Sequence, residues 1–359
     1  MSDASSRKSP DSVTCSDPWP GGKKVRRINL ALQGGGAHGA FTWGVLDRLL
    51  EDDRIAIEGV TGTSAGAVNG AVLAYGLTVG GREAARSQLR AFWERTAQVA
   101  ALSPLQPSPL DRMLGPGRMD FSPGYWMLDM MSRVFSPYQY NAFDLNPLRD
   151  LLDELIDFEA LQHCQAVKLF VSATNVKRGR IKVFDLPEIG LDALVASTCL
   201  PFLHKAVEIG DEAYWDGGYM GNPAIYPLIY HTECRDILLV QLNPINIDQL
   251  PVSAQDIMDR LNTLTFNASL MREMRAIDFV TRLIDEGFDH GGRLKRLLIH
   301  VIHAEDVMAG LGVSSKLNAD RDFLEKLFEI GRAYTTDWLA AHFDDLGRES
   351  TADIGEMYL

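Results

Sequence analysis

An apolar run at 28–32 has the length of a buried strand. It stops at Gly34-Gly35-Gly36-Ala37-His38-Gly39, and a helical pattern over 41–50 follows. The same succession then repeats: an apolar run at 57–60, the turn Gly62-Thr63-Ser64-Ala65-Gly66, and a helical pattern over 67–75. Farther along, periodicity predicts an amphipathic helix over 148–161, strands at 167–173, 180–185 and 236–242, a long helix over 254–285, a strand at 296–303 and a closing helix over 321–343. Strands alternating with helices predict an α/β fold of three layers, α/β/α, around a mostly parallel sheet covered on both faces.

Two stretches break this rhythm. Residues 1–24 are rich in Ser, Asp, Pro and Gly without an apolar run and are read as a disordered tail. Between 103 and 147 prolines recur, while Phe121, Trp126, Met127 and Met130 supply large, soft apolar surface. That stretch is either an irregular part of the core or an insertion that covers a site and meets lipid. The chain is thus read as a tail (1–24), a catalytic core (25–245, with 103–147 inserted) and a helical C-terminal part (246–359) packed on the same domain.

A small-residue elbow between strand and helix suits a nucleophilic serine, because the bend exposes Oγ and lets substrate approach the backbone. Ser64 occupies such an elbow, and the loop Gly34, Gly35 and Gly36 stands one β-α unit upstream, where backbone amides can form an oxyanion hole. The five-residue motif is weak alone and gains force from this setting. Gly34, Gly36 and Gly39 also satisfy a dinucleotide-binding fingerprint. That reading lacks its acidic ribose contact, since the end of the second strand reads Val60-Thr61-Gly62-Thr63-Ser64.

A serine hydroxyl needs a base. The downstream histidines are His163, His204, His231, His290, His300, His303 and His342, and Asp216 followed by His231 or His303 satisfies the chain order of an α/β-hydrolase triad. Asp216 itself lies in Tyr214-Trp215-Asp216-Gly217-Gly218-Tyr219, which reads locally as a hairpin turn.

Composition narrows the partners. The chain has 359 residues, 46% of them hydrophobic and 23% charged, enough to bury a large core. A net charge of -13 with a single compact basic cluster, Lys23, Lys24, Arg26 and Arg27, argues against nucleic acid. The first 22 residues hold no apolar signal segment and no run of 18 apolar residues occurs, so the expected location is cytoplasmic. Cys15, Cys164, Cys199 and Cys234 are widely spaced and are read as reduced thiols, and no metal-ligand spacing appears.

The loop G-G-G-x-x-G, the elbow G-T-S-A-G one β-α unit later, Ala196-Ser197-Thr198-Cys199-Leu200-Pro201-Phe202 and the later Asp216-Gly217-Gly218 together resemble, in that order, the patatin-like phospholipase family. The resemblance covers roughly residues 27–222 and implies a lipid acyl hydrolase with a Ser-Asp dyad and no histidine. Ser64 matches its nucleophile, Asp216 its base, and Gly34, Gly35 and Gly36 its oxyanion-hole loop. No metal or cofactor is implied. The expected partner is a phospholipid or other acyl-ester lipid, met by peripheral contact with a membrane. A serine acyltransferase and a non-catalytic lipid-surface protein remain alternatives on the same residues. This chain departs from the family at His38, where Arg or Lys is usual, and at Gln33, often acidic. A histidine is only partly charged near neutral pH, which leaves the loop's electrostatics open.

Overall fold

The two apolar runs become neighbouring parallel strands, β1 (Arg26–Leu32) and β2 (Ile55–Thr63). Helix α1 (Gly39–Glu51) connects them, and helix α2 (Ala65–Ala100) leaves directly from the second. The computed structural model describes Trp19 and residues 25–359, apart from 116, 248, 289 and 290 and the side chain at 255. Apart from Trp19, the expected tail lies outside the described residues, together with Lys23, Lys24, Cys15 and His290. Trp19 is buried, and its Nε1 donates to Ala166 O at 2.9 Å.

Six further strands complete one sheet: β3 (Lys168–Asn175), β4 (Arg180–Asp185), β5 (Val207–Ile209), β6 (Glu212–Asp216), β7 (Asp236–Gln241) and β8 (Leu298–His303). Their order is β5-β6-β3-β2-β1-β7-β8, with β4 paired to β3. Strands β1, β2, β3, β7 and β8 run parallel, whereas β4, β5 and β6 pair antiparallel, so the sheet is mostly parallel as expected.

Successive side chains on a strand point to opposite faces. In β7, Leu238 and Val240 join a core shared with α1, α2 and the helix Arg321–His342, while Ile237 and Leu239 join a second core beneath the helix Ala254–Asp285. Both faces are therefore covered, giving the three α/β/α layers, and each aliphatic side chain withdrawn from water contributes about 1.5–3 kcal/mol.

The single helix expected over 148–161 is two, Pro147–Leu155 and Phe158–Gln162. Ile156 is extended, and Asp157 starts the second helix by accepting from the amides of Glu159 and Ala160. The hairpin expected at Asp216-Gly217 is also corrected. The β5–β6 hairpin turns at Gly210, which has φ 60, and Asp216 instead ends β6 and opens the short 3-10 turn Gly217–Tyr219.

Candidate active site

Sheet register brings the two predicted catalytic residues together. Strand β4 occupies one edge of β3; the other edge is shared, with β2 paired as far as Thr63 opposite Ser172, and β6 from Asp216 opposite Ala173. The end of β2 and the end of β6 abut there, so Ser64 and Asp216 face each other although 152 positions of sequence separate them.

Ser64 has φ 54 and ψ -125, a backbone region that normally belongs to glycine and costs about 1–3 kcal/mol for other residues. Its strain is held by packing on both sides. A Cβ on Gly66 would collide with the Leu32 carbonyl oxygen, and the Ser64 amide donates to Ser197 Oγ at 2.9 Å. Ser197 opens the segment that runs on to Cys199, whose carbonyl accepts from the Asp216 amide at 2.7 Å. One short stretch thus braces both residues.

Asp216 is fully buried, and one carboxylate oxygen accepts from the Gly218 amide at 2.7 Å. Burial pushes its pKa up to about 7; the Gly218 amide, the Ser64 hydroxyl and the Lys316 ammonium pull it back. The Ser64 hydroxyl is close enough to favour the ionised carboxylate, but Oδ2 has no partner at full hydrogen-bond geometry. The contact is near and loose, as catalytic pairs often are before substrate arrives.

Of the three loop glycines expected at the oxyanion hole, Gly34 has its amide already engaged. Its amide donates to Asn222 Oδ1 at 2.7 Å and its carbonyl accepts from Asn243 Nδ2 at 2.9 Å, so it anchors the loop rather than facing substrate. Gly35 and Gly36 line the cavity, and neither amide is engaged by an acceptor among the described residues. Gly36 has a positive φ, 58, at a point where the Lys316 carbonyl leaves no room for a side chain. His38 is buried with Nε2 2.7 Å from Ser315 Oγ, and burial, with Lys316 nearby, drops its pKa to about 3. It is neutral near pH 7, not partly charged.

Around the pair lies a cavity of about 440 Å³, walled largely by apolar side chains such as Val68, Phe92, Trp93, Leu148, Leu203 and Phe266. Residues of the 103–147 stretch form part of its wall. In the helix Pro123–Val134 the stripe Tyr125, Leu128, Asp129 and Ser132 faces the cavity, at helical spacing. The candidates Trp126, Met127 and Met130 lie on the opposite face, and like Phe121 they are half or more exposed and do not line the cavity. No residue of this helix is buried, so the core-packing alternative is set aside for it.

Among the histidines, His204 lines the cavity, with Nδ1 unpartnered and its pKa lowered by burial. His303 ends β8, three strand positions from β2, a separation of ~14 Å at the usual ~4.8 Å spacing. His231 stacks on Phe170 with ring centroids 5.6 Å apart, and neither it nor His303 lines the cavity, so the alternative α/β-hydrolase order finds neither of its two candidate histidines in place. Sequence reasoning missed Asn222, Asn243 and Lys316, the last of which lines the cavity from the C-terminal third. Among the described residues no group of three His, Cys, Asp or Glu side chains is arranged to hold a metal ion.

Residues 30–229 match the family model for patatin-like phospholipases, more than half of the chain, and the chain belongs to that family. Lipid is the substrate class that membership implies. Among solved structures the chain is similar to VipD from Legionella pneumophila, with 15% identity and a TM-score of 0.45, covering 89% of this chain and 67% of that one. It is also similar to ExoU of the type III secretion system of Pseudomonas aeruginosa, in complex with SpcU, at 15% identity and a TM-score of 0.30, covering 85% of this chain and 52% of that one. A comparison with curated proteins returns no match.

Proposed function

We propose that the protein is a lipid acyl hydrolase of the phospholipase A, lysophospholipase or esterase type, working through an acyl-serine. Ser64 Oγ attacks the ester carbonyl while its proton passes to Asp216, and the oxyanion is held by the Gly35 and Gly36 amides. The amino end of α2, opening at Ala65, adds its positive dipole end. The alcohol or lysolipid leaves with the proton from Asp216. Water then attacks the acyl-serine with Asp216 again as base, regenerating the hydroxyl.

The observation that carries this reading is the strained Ser64 set against a buried carboxylate at the floor of an apolar cavity. Burial also answers an objection, since a carboxylate at its ordinary value near 3.8 is a weak base, and one raised to about 7 is matched to neutral pH. A panel of phospholipids, lysophospholipids and short-chain esters, assayed with wild type and Ser64→Ala, tests it. Release of fatty acid that disappears in Ser64→Ala is the expected result, and binding of lipid without any release in wild type would defeat it.

The exposed apolar face of Pro123–Val134 lies across the same helix from the cavity stripe, which suits a cover that rests on a lipid surface. Among the described residues no helix is long and apolar enough to cross a membrane. Changing Trp126, Met127 and Met130 together to Ser is expected to lower turnover of aggregated lipid by about tenfold or more and that of a soluble ester much less. Equal losses on both substrates would remove the surface role.

A further inference from the structure

The oxyanion loop is backed by a piece of chain from far away, the 3-10 turn Val313–Leu317. His38 holds it through Ser315, and Asp259 Oδ2 accepts from the Val313 amide at 3.2 Å. The Lys316 carbonyl lies so close to Gly36 that any Cβ there would collide with it. Seated in this way, the turn sends the Lys316 side chain into the cavity. Its Nζ donates to Asn243 Oδ1 at 2.7 Å and stands 5.7 Å from the Phe266 ring centroid. Asn243 in turn bonds Gly34 O, so the ammonium is tied to the loop it backs.

This arrangement meets a need that the glycine loop cannot meet itself. Gln33 carries no charge and buried His38 is neutral, while Lys316 is the one Lys or Arg side chain lining the cavity among the described residues. We propose that Lys316 is the charge partner of the Ser64–Asp216 pair: delivered from the C-terminal third by the turn that His38 positions, its ammonium balances the negative charge that moves from carboxylate to oxyanion during attack. The inference rests on the dyad reading above. In the attacking step the Ser64 proton goes to Asp216, the Oγ–carbon bond forms and the carbonyl electron pair moves onto oxygen. One negative charge therefore shifts within the cavity while the nearby cation stays fixed, and in a water-poor interior such a charge acts more strongly than in solvent.

The surrounding groups leave Lys316 in this role. Burial lowers its pKa to about 8, while Asp259 and Asp216 hold the charge on. On the Asp216 side, burial pushes Cys199 and Tyr219 up, which keeps both neutral near pH 7. His204, facing Asp144, has its pKa lowered by burial, and Asp129 lines the cavity wall from the cover helix.

The rate of covalent labelling of Ser64 by a fluorophosphonate, measured between about pH 5 and 9, tests this without depending on a lipid substrate. Lys316→Met and Lys316→Gln are each expected to slow labelling at pH 7 by about tenfold or more and to move the acid limb upward by about one pH unit, with Lys316→Arg recovering most of both. Lys316→Gln keeps a donor for Asn243 and guards against a folding defect in the Met variant. His38→Ala is expected to slow labelling in wild type and to add little in the Lys316→Gln background. An unchanged rate and limb in Lys316→Gln overturns the inference. So does a slower rate with an unmoved limb that Lys316→Arg fails to rescue, because packing alone would do that. Wild type that is labelled at Ser64 but releases no fatty acid defeats the hydrolase reading and leaves the Lys316 comparison decisive; wild type without labelling at Ser64 defeats both.

Discussion

Ser64→Ala, Asp216→Asn and the double variant are each expected to lose at least about a thousandfold in kcat on a soluble short-chain ester, with the double variant no worse than either single one. The reason is that the two groups act in one step. Without Oγ there is no acyl-serine for Asp216 to serve, and without the carboxylate the hydroxyl keeps its proton and stays a poor nucleophile. Independent contributions would multiply, whereas a shared step saturates. Asp216→Asn is a fair test of chemistry because Asp216 already sits unpaired at Oδ2 in a fully buried place, where a neutral amide of nearly the same shape costs little. Thermal unfolding of each variant checks that the fold survives. Retention of more than about a tenth of the wild-type rate by Asp216→Asn would remove it as the base.

The strand-turn-helix units at both glycine turns were legible because their signals are local: an apolar run ends, small residues bend the chain, and helical spacing resumes. The long helices at Ala254–Asp285 and Arg321–His342 were legible for the same reason. The pairing of Asp216 with Ser64 was suggested only by a motif. The sequence surroundings of Asp216 suggest a hairpin, and its position beside Ser64 depends on β6 sharing an edge of β3 with β2, which no local pattern encodes. Asn222, 188 positions away, takes the Gly34 donor, a pairing that no local pattern announces and that leaves the proposed oxyanion hole to the Gly35 and Gly36 amides.

Lys316 carried no signal at all. It lies in a short turn between Gly312 and Asn318, and only folding against Gly36 and His38 turns an ordinary lysine into a half-buried cation lining the cavity. The stretch 103–147 stood out by its prolines and soft apolar residues, yet the two faces of its helix Pro123–Val134 could not be told apart. Tyr125 and Leu128 meet the cavity while Trp126 and Met130 meet solvent, a distinction set by the helix's rotation rather than its composition.

The acid limb of the pH profile separates the carboxylate from His204, the one histidine that shares its cavity among the described residues. Asp216 accepts a proton only when ionised, and burial raises its pKa to about 7, so the competent fraction falls as pH drops below that value. On a neutral short-chain ester, kcat/KM is therefore expected to fall by about tenfold per pH unit below about 7, reaching roughly a hundredfold loss near pH 5. His204 would behave differently as a base. Its pKa is pushed below the ordinary 6.5 by burial, which would set the limb lower, and its removal would then cost as much as removal of Ser64. His204→Ala is expected instead to keep activity within about tenfold and to leave the limb where it is in wild type. His231→Ala, His300→Ala and His303→Ala should keep their activity to the same extent when folded. For His300, which joins Asp236 at 3.1 Å to Thr351 at 3.0 Å, the loss should fall on thermal stability. A folded His204→Ala protein as inactive as Ser64→Ala would replace the dyad with a histidine-based mechanism, and a limb that moves with His204 rather than with Asp216 would do the same.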